Sequence, residues 1–232
     1  MSNPSLVTLS LPAGVTNGIA LSQTPGAASN LTLNGSLVSG GVANLVTPQR
    51  AVAVSASAGD TTQTLTFTGT DRNGNTISEA VTLNGTTQVN TKQDFLTVTK
   101  VAISAGTAGA LTVGTNGIGS TDWVLDNFLA PTWMLAVAVH IKSGSATYTV
   151  EHTYDDPNSW TGMGTGNSAL PSSMEPASYS PPLAWANPTL QNMNADGEFQ
   201  YVAWPVMAHR LTITAGTGTV TMQSLQAGIG SP

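Results

Sequence analysis

Apolar residues in this chain recur at every second position, in short runs, and almost nowhere at the three-to-four spacing of a helix. Gly, Pro, Asn and Thr break the runs every few residues. A segment of that kind can bury one face only as a half-covered strand, so the chain is predicted to be all-β and built of antiparallel sheets. Thr64–Thr70 and Thr76–Leu83 show the pattern best. Leu65 and Phe67 alternate with threonines, and Ile77, Val81 and Leu83 share one parity. Asp71-Arg72-Asn73-Gly74-Asn75 between them reads as a hairpin turn. Leu31-Thr32-Leu33 and Leu37-Val38 around Asn34-Gly35 read as a tighter hairpin, and Phe95–Ile103 and Ala110–Val113 as further strands.

A second unit is read from about Thr121. Trp133–Lys142 places Leu135, Val137, Val139 and Ile141 on one face, and Met134, Ala136, Ala138 and His140 on the other. Ser145–Tyr154 is its expected hairpin partner across Ser143-Gly144. His209–Thr214 and Thr219–Leu225 are expected to form a last hairpin around Ala215-Gly216-Thr217-Gly218. The expected architecture is two antiparallel β-sandwich or jelly-roll-like domains, residues 1–118 and 119–232. The second carries a long irregular insertion at about 155–205.

That insertion is dense in proline and holds Trp160, Trp185 and Trp204. Loops so long are uncommon in a compact domain, and its aromatics set it apart from disordered sequence. Two readings stand: it folds back over its own sandwich, or it docks on a neighbouring subunit through Trp160, Met163, Tyr179 and Trp185, side chains of the type that anchor interfaces.

Only 8% of residues are charged and the net charge is −6. The six Lys and Arg are scattered from Arg50 to Arg210, so no phosphate-tracking surface is expected and nucleic acid is not an expected partner. Thr, Ser, Asn and Gln must supply most of the polar surface, either as an ordinary neutral surface or as that of a subunit covered by neighbours, where buried charge would be costly. With no cysteine, disulfides and thiolate metal sites are excluded. The N-terminal residues lack a signal-peptide pattern, and the longest apolar run, Leu135–Ile141, is strand-sized. A soluble chain made in a reducing cytoplasm, with no membrane partner, is expected.

No catalytic, cofactor-binding or metal-ligating residue is expected. His152 and His209 share parity with Tyr148 and Val150 and with Leu211 and Ile213, as hydrogen-bonded core or core-edge histidines would. His152 and Asp155 differ by an odd number and diverge on a strand. Asp71, Asn73, Gly74 and Asn75 lack the spacing and the Glu of a calcium loop. No Gly-x-Ser-x-Gly elbow is present.

Thr70–Glu79, Tyr148–Pro157, Asn194–Gly197 and Arg210–Gly218 resemble hairpin and turn segments of virion structural proteins of tailed bacteriophages. The resemblance implies a β-rich, non-enzymatic capsid decoration (cement) protein, located in the virion and made in the host cytoplasm. Its implied partners are itself, as a homo-oligomer such as a trimer, and other virion proteins such as the major capsid protein. A neck or tail component and a host-glycan-binding module are the alternatives.

Overall fold

The computed structural model of the chain describes residues 3–127, 134–157, 183–201 and 205–227. Among these there is no helix, and the paired strands run antiparallel, as the alternation predicted. The chain forms two compact units, Pro12–Gly119 and Met1–Leu11 with Ser120–Pro232. The first strand, β1 (Asn3–Ser10), therefore belongs with the C-terminal half, unlike the expected assignment of residues 1–118 to one domain.

The Pro12–Gly119 unit contains β2 (Ala20–Gln23), β3 (Ser29–Asn30), β4 (Val38–Ser39), β5 (Val42–Ser55), β6 (Thr64–Thr70), β7 (Thr76–Thr82), β8 (Val89–Ile103) and β9 (Leu111–Thr115). They form one hydrogen-bonded sheet in the order β2-β9-β5-β8-β6-β7, with β3 on β8 and β4 on β5. The long strands β5 and β8 lose register at Asn44/Gln49 and again at Arg50/Val52, bulges that bend a sheet. Phe67 and Phe95 are fully buried with ring centroids 6.3 Å apart.

The β6–β7 hairpin has the predicted register, Thr64↔Thr82 through Thr70↔Thr76. Its turn is organised by the Asp71 carboxylate, which accepts from the amides of Asn73 and Asn75. The hairpin expected at Asn34-Gly35 does not form. The Asn34 side chain accepts from the Leu21 amide, and Gly35 N donates to Ile19 O, so this segment lies along residues 18–21. A Cβ at Gly35 would sit 2.2 Å from the Gly18 carbonyl; close approach, not turn geometry, selects glycine there. The actual hairpin is β4–β5, turning on Gly40-Gly41 at φ +60 and +81.

The other unit adds β10 (Gly119–Ser120), β11 (Val124–Leu125), β12 (Met134–Ser143), β13 (Ala146–Thr153), β14 (Trp185–Ala186), β15 (Gly197–Tyr201), β16 (Ala208–Gly216) and β17 (Thr219–Ala227). One sheet runs β1-β17-β12-β15 and the other β10-β16-β13-β14, with β11 also on β16. Counting β10 and β11 as one position, the eight positions run 1-8-3-6 in one sheet and 2-7-4-5 in the other, the order of a jelly roll. Residues 12–119 are thus inserted between the first and second strands of this jelly roll.

Two further expectations are corrected by this topology. β12 and β13 are not a hairpin, nor are β16 and β17; each pair crosses from one sheet to the other. β12 pairs with β17 and β15, while β13 pairs with β16 and β14. The stretch at about 155–205, expected to be irregular, supplies β14 and β15. Phe199 and Tyr201 point inward on β15 between exposed Glu198 and Gln200, an alternation short enough to be hidden by the surrounding prolines. The core between the sheets holds Leu9, Leu135, Val137, Val139, Tyr148, Val150, Leu190, Leu211, Ile213, Val220 and Met222.

Candidate functional site

Chemistry-bearing side chains of the jelly roll gather where β11, β13 and β15 end and β14 and β16 begin. His152 and His209 stand directly opposite one another on β13 and β16, continuing the buried row made by Val150↔Leu211. His209 is fully buried, and its Nδ1–H donates to Asp126 Oδ2 at 2.9 Å. A carboxylate can only accept, so Nδ1 carries the proton in this bond, and Nε2 is the ring's other nitrogen. Among the described residues, Nε2 is buried without a hydrogen-bond partner. Asp126 is held in turn by its amide bond to Met207 O.

His152 packs edge-on against Tyr154 and Tyr201, each with ring centroids 5.6 Å away, and its Nδ1 lies 3.4 Å from the Tyr201 hydroxyl. Burial lowers the His152 pKa. Burial pushes the Tyr201 phenol up to about 12; the Asn187 amide works against this, and the Asp126 and Tyr154 charges add to it. Tyr148, deeper in the row, is likewise pushed up to about 12 by burial and then by Asp196. Its hydroxyl donates to Ala195 O.

Both histidines thus occupy the core positions their parity predicted. Asp155 does not join His152: its Oδ2 accepts from the Leu183 amide. Among the described residues no three His, Cys, Asp or Glu side chains converge as metal ligands. Of the four predicted interface residues, Trp160, Met163 and Tyr179 lie outside the described residues. Trp185 is opposite His152 on the edge strand β14 and is 52% exposed, with Tyr154 and Leu183 also exposed. Asp126, Asn187 and Tyr201 were missed. No local pattern marks Asp126, which meets His209 across 83 positions of sequence.

Two other charged arrangements are surface features. On the outer face of β13 and β16, Arg210 donates to Glu151 at 2.7 Å and lies 4.4 Å above the Trp123 ring. On β12, His140 meets Asp196, whose pKa that bond and the Ile141 amide lower. In the Pro12–Gly119 unit Asp60 is buried and accepts from Ser55 Oγ and from the amides of Ala108 and Gly109. These bonds hold its pKa below the usual carboxylate range.

The histidine–tyrosine cluster gives the C-terminal unit a pH signature. The unfolded chain takes up a proton at His152 near pH ~6.5, while the folded chain resists it to lower pH. Stability from this group is present above that value and is lost as pH falls through the folded pKa. At the alkaline end the folded phenols keep their protons to about 12, so stability is lost as pH rises from the unfolded value of about 10. All five tryptophans lie in this unit, so fluorescence-detected urea unfolding reads it alone. The midpoint is expected to drop from about pH 7 to about pH 5, with a shallower slope in His152→Gln. Equal slopes would remove His152 as the cause.

The chain was compared with known protein families and with curated proteins, and it matches none of them.

Proposed function

We propose that this chain is a non-enzymatic structural subunit of a tailed-phage virion, a capsid decoration (cement) protein acting through contacts with copies of itself and with neighbouring shell proteins. The observation that carries the reading is the outer face of the β1-β17-β12-β15 sheet. Leu6 is 68% exposed, Leu225 42% and Met134 38%, and Pro4 and Ala136 are exposed beside Leu225. Contiguous exposed apolar side chains on a sheet face mark a surface that another protein covers. On a chain with 8% charged residues, that contact would be apolar and neutral. The jelly roll is compatible with the proposal, since it recurs in viral capsid domains, but it also recurs in lectins and does not by itself assign function.

The test is Leu6→Asp with Leu225→Asp. Both side chains point away from the core, so the melting temperature is expected to move by no more than about 2 °C. Occupancy on particles, or oligomer formation by the isolated chain, is expected to fall at least about tenfold. Loss of stability with assembly unchanged would sink the reading. Assembly is also expected to depend little on sodium chloride, because few ion pairs are there to be screened; dissociation at moderate salt would point to ionic contacts instead.

A host-glycan-binding module is the second reading, favoured by exposed Tyr154 and Trp185 at the β14 edge, rings of the kind that stack on sugars. Glycan-array binding that disappears in Trp185→Ala, with particle occupancy unchanged, would favour it over the first.

A further inference from the structure

The sequence contains Asn-Gly five times, at Asn17, Asn34, Asn73, Asn84 and Asn116, all in the Pro12–Gly119 unit. This dipeptide is the most prone of all to self-modification, because glycine offers no side chain to hinder its own nitrogen. That nitrogen, losing its proton to hydroxide, attacks the Asn Cγ. The Cγ–Nδ2 bond breaks, ammonia leaves and a succinimide ring closes. Water then opens the ring at either carbonyl, leaving aspartate or isoaspartate. The reaction needs a solvent-reachable glycine amide and a side chain free to swing onto it.

Four of the five pairs are denied one or both. Gly18, Gly35, Gly85 and Gly117 are all buried. Gly18 N donates to Val15 O at 2.9 Å, Gly35 N to Ile19 O at 3.1 Å and Gly85 N to Asp60 O at 2.9 Å. The Asn34 side chain is engaged by the Leu21 amide. The Asn116 side chain is tied at both ends, to Asn90 Oδ1 and to the Ile118 amide.

Asn73-Gly74, at the tip of the β6–β7 hairpin, differs in exposure, in the room around its glycine and in its unengaged side chain. Both residues are exposed, a Cβ at Gly74 would meet nothing within 4 Å, and among the described residues the Asn73 side chain makes no hydrogen bond. The Gly74 amide donates to Asp71 O at 3.2 Å, a turn bond at an exposed hairpin tip.

We propose that Asn73 is a site of spontaneous deamidation in the folded protein, and that the fold protects the other four Asn-Gly pairs. Each event takes the net charge from −6 to −7. It also sets a new carboxylate two residues from Asp71, whose own carboxylate organises the turn by accepting from Asn73 N, Asn75 N and Asn75 Nδ2. The β6–β7 tip, at the edge of its sheet, would loosen while the strands keep their register.

The experiment is peptide mapping by mass spectrometry, with isoaspartate detection, on the intact chain aged at mildly alkaline pH with and without urea. In the native chain, modification at Asn73 is expected to outpace each of the other four sites by at least about tenfold. In urea the five rates should converge. Asn73→Ser, which suits the same turn, should abolish the native acidic species. Native modification at another Asn-Gly pair as fast as at Asn73 would overturn the proposal. So would an acidic species that persists in Asn73→Ser.

Discussion

Asp126→Ala is expected to cost the C-terminal unit about 1–3 kcal/mol, the range for leaving a buried hydrogen-bond donor without its partner. The Asp126 side chain is 3% exposed, and the His209 ring beside it is fully buried. Among the described residues His209 Nε2 has no hydrogen-bond partner, so Asp126 is what satisfies the ring. Without it, Nδ1–H is stranded between two sheets and neither nitrogen is paired. The damage stays local to the β11–β16 end, because Asp126 takes no part in the apolar core. Asp126→Asn separates charge from hydrogen bonding: its amide oxygen can still accept from Nδ1–H, so a cost of only ~1 kcal/mol is expected. Tryptophan-detected urea unfolding measures both variants in this unit. An Asp126→Ala shift below ~1 kcal/mol would mean that solvent reaches the ring and that the pair contributes little.

The dyad also shows where sequence reading stops. Strand existence was legible because burial on one face writes itself into local alternation: Leu65 and Phe67 on β6, Leu135 to Val139 on β12, Tyr148 to His152 on β13. The β6–β7 register followed because its turn is short and its partner adjacent. Pairing between distant strands leaves no such trace. β1 alternates in the ordinary way, yet its partners are residues 219–226, and nothing in residues 3–10 says so. Likewise Ser143-Gly144 and Gly216-Thr217-Gly218 look like hairpin turns because the same glycines serve a hairpin and a crossover between sheets. Trp185, named from sequence among the candidate interface residues, is exposed. The apolar outer face of β1, β17 and β12 was not, because it joins residues from opposite ends of the chain.

Gly216→Ala tests the crossover directly and is expected to be among the most damaging single-methyl additions in the protein. The β12–β13 and β16–β17 crossovers lie against each other, tied by bonds from the Thr217 and Gly218 amides to Ser145 O at 3.1 and 2.9 Å. Gly216 sits at φ +89, where an L side chain is strained by roughly 1–2 kcal/mol. An added Cβ would also lie 2.3 Å from Ser145 O and 2.9 Å from Ala146 Cα. Both are backbone atoms: Ala146 opens β13 and is already paired with Gly216, and Ser145 directly precedes it, so neither can yield without breaking Ala146↔Gly216. Strain and overpacking together are expected to cost about 3–5 kcal/mol. Gly40→Ala is the control: its φ of +60 carries the conformational strain, but its Cβ would meet nothing within 4 Å. It is expected to cost only about 1 kcal/mol, read by far-ultraviolet circular dichroism because its unit lacks tryptophan. If Gly216→Ala costs no more than Gly40→Ala, the two crossovers are not in contact, and the close packing of β12–β13 against β16–β17 at that end of the jelly roll is wrong.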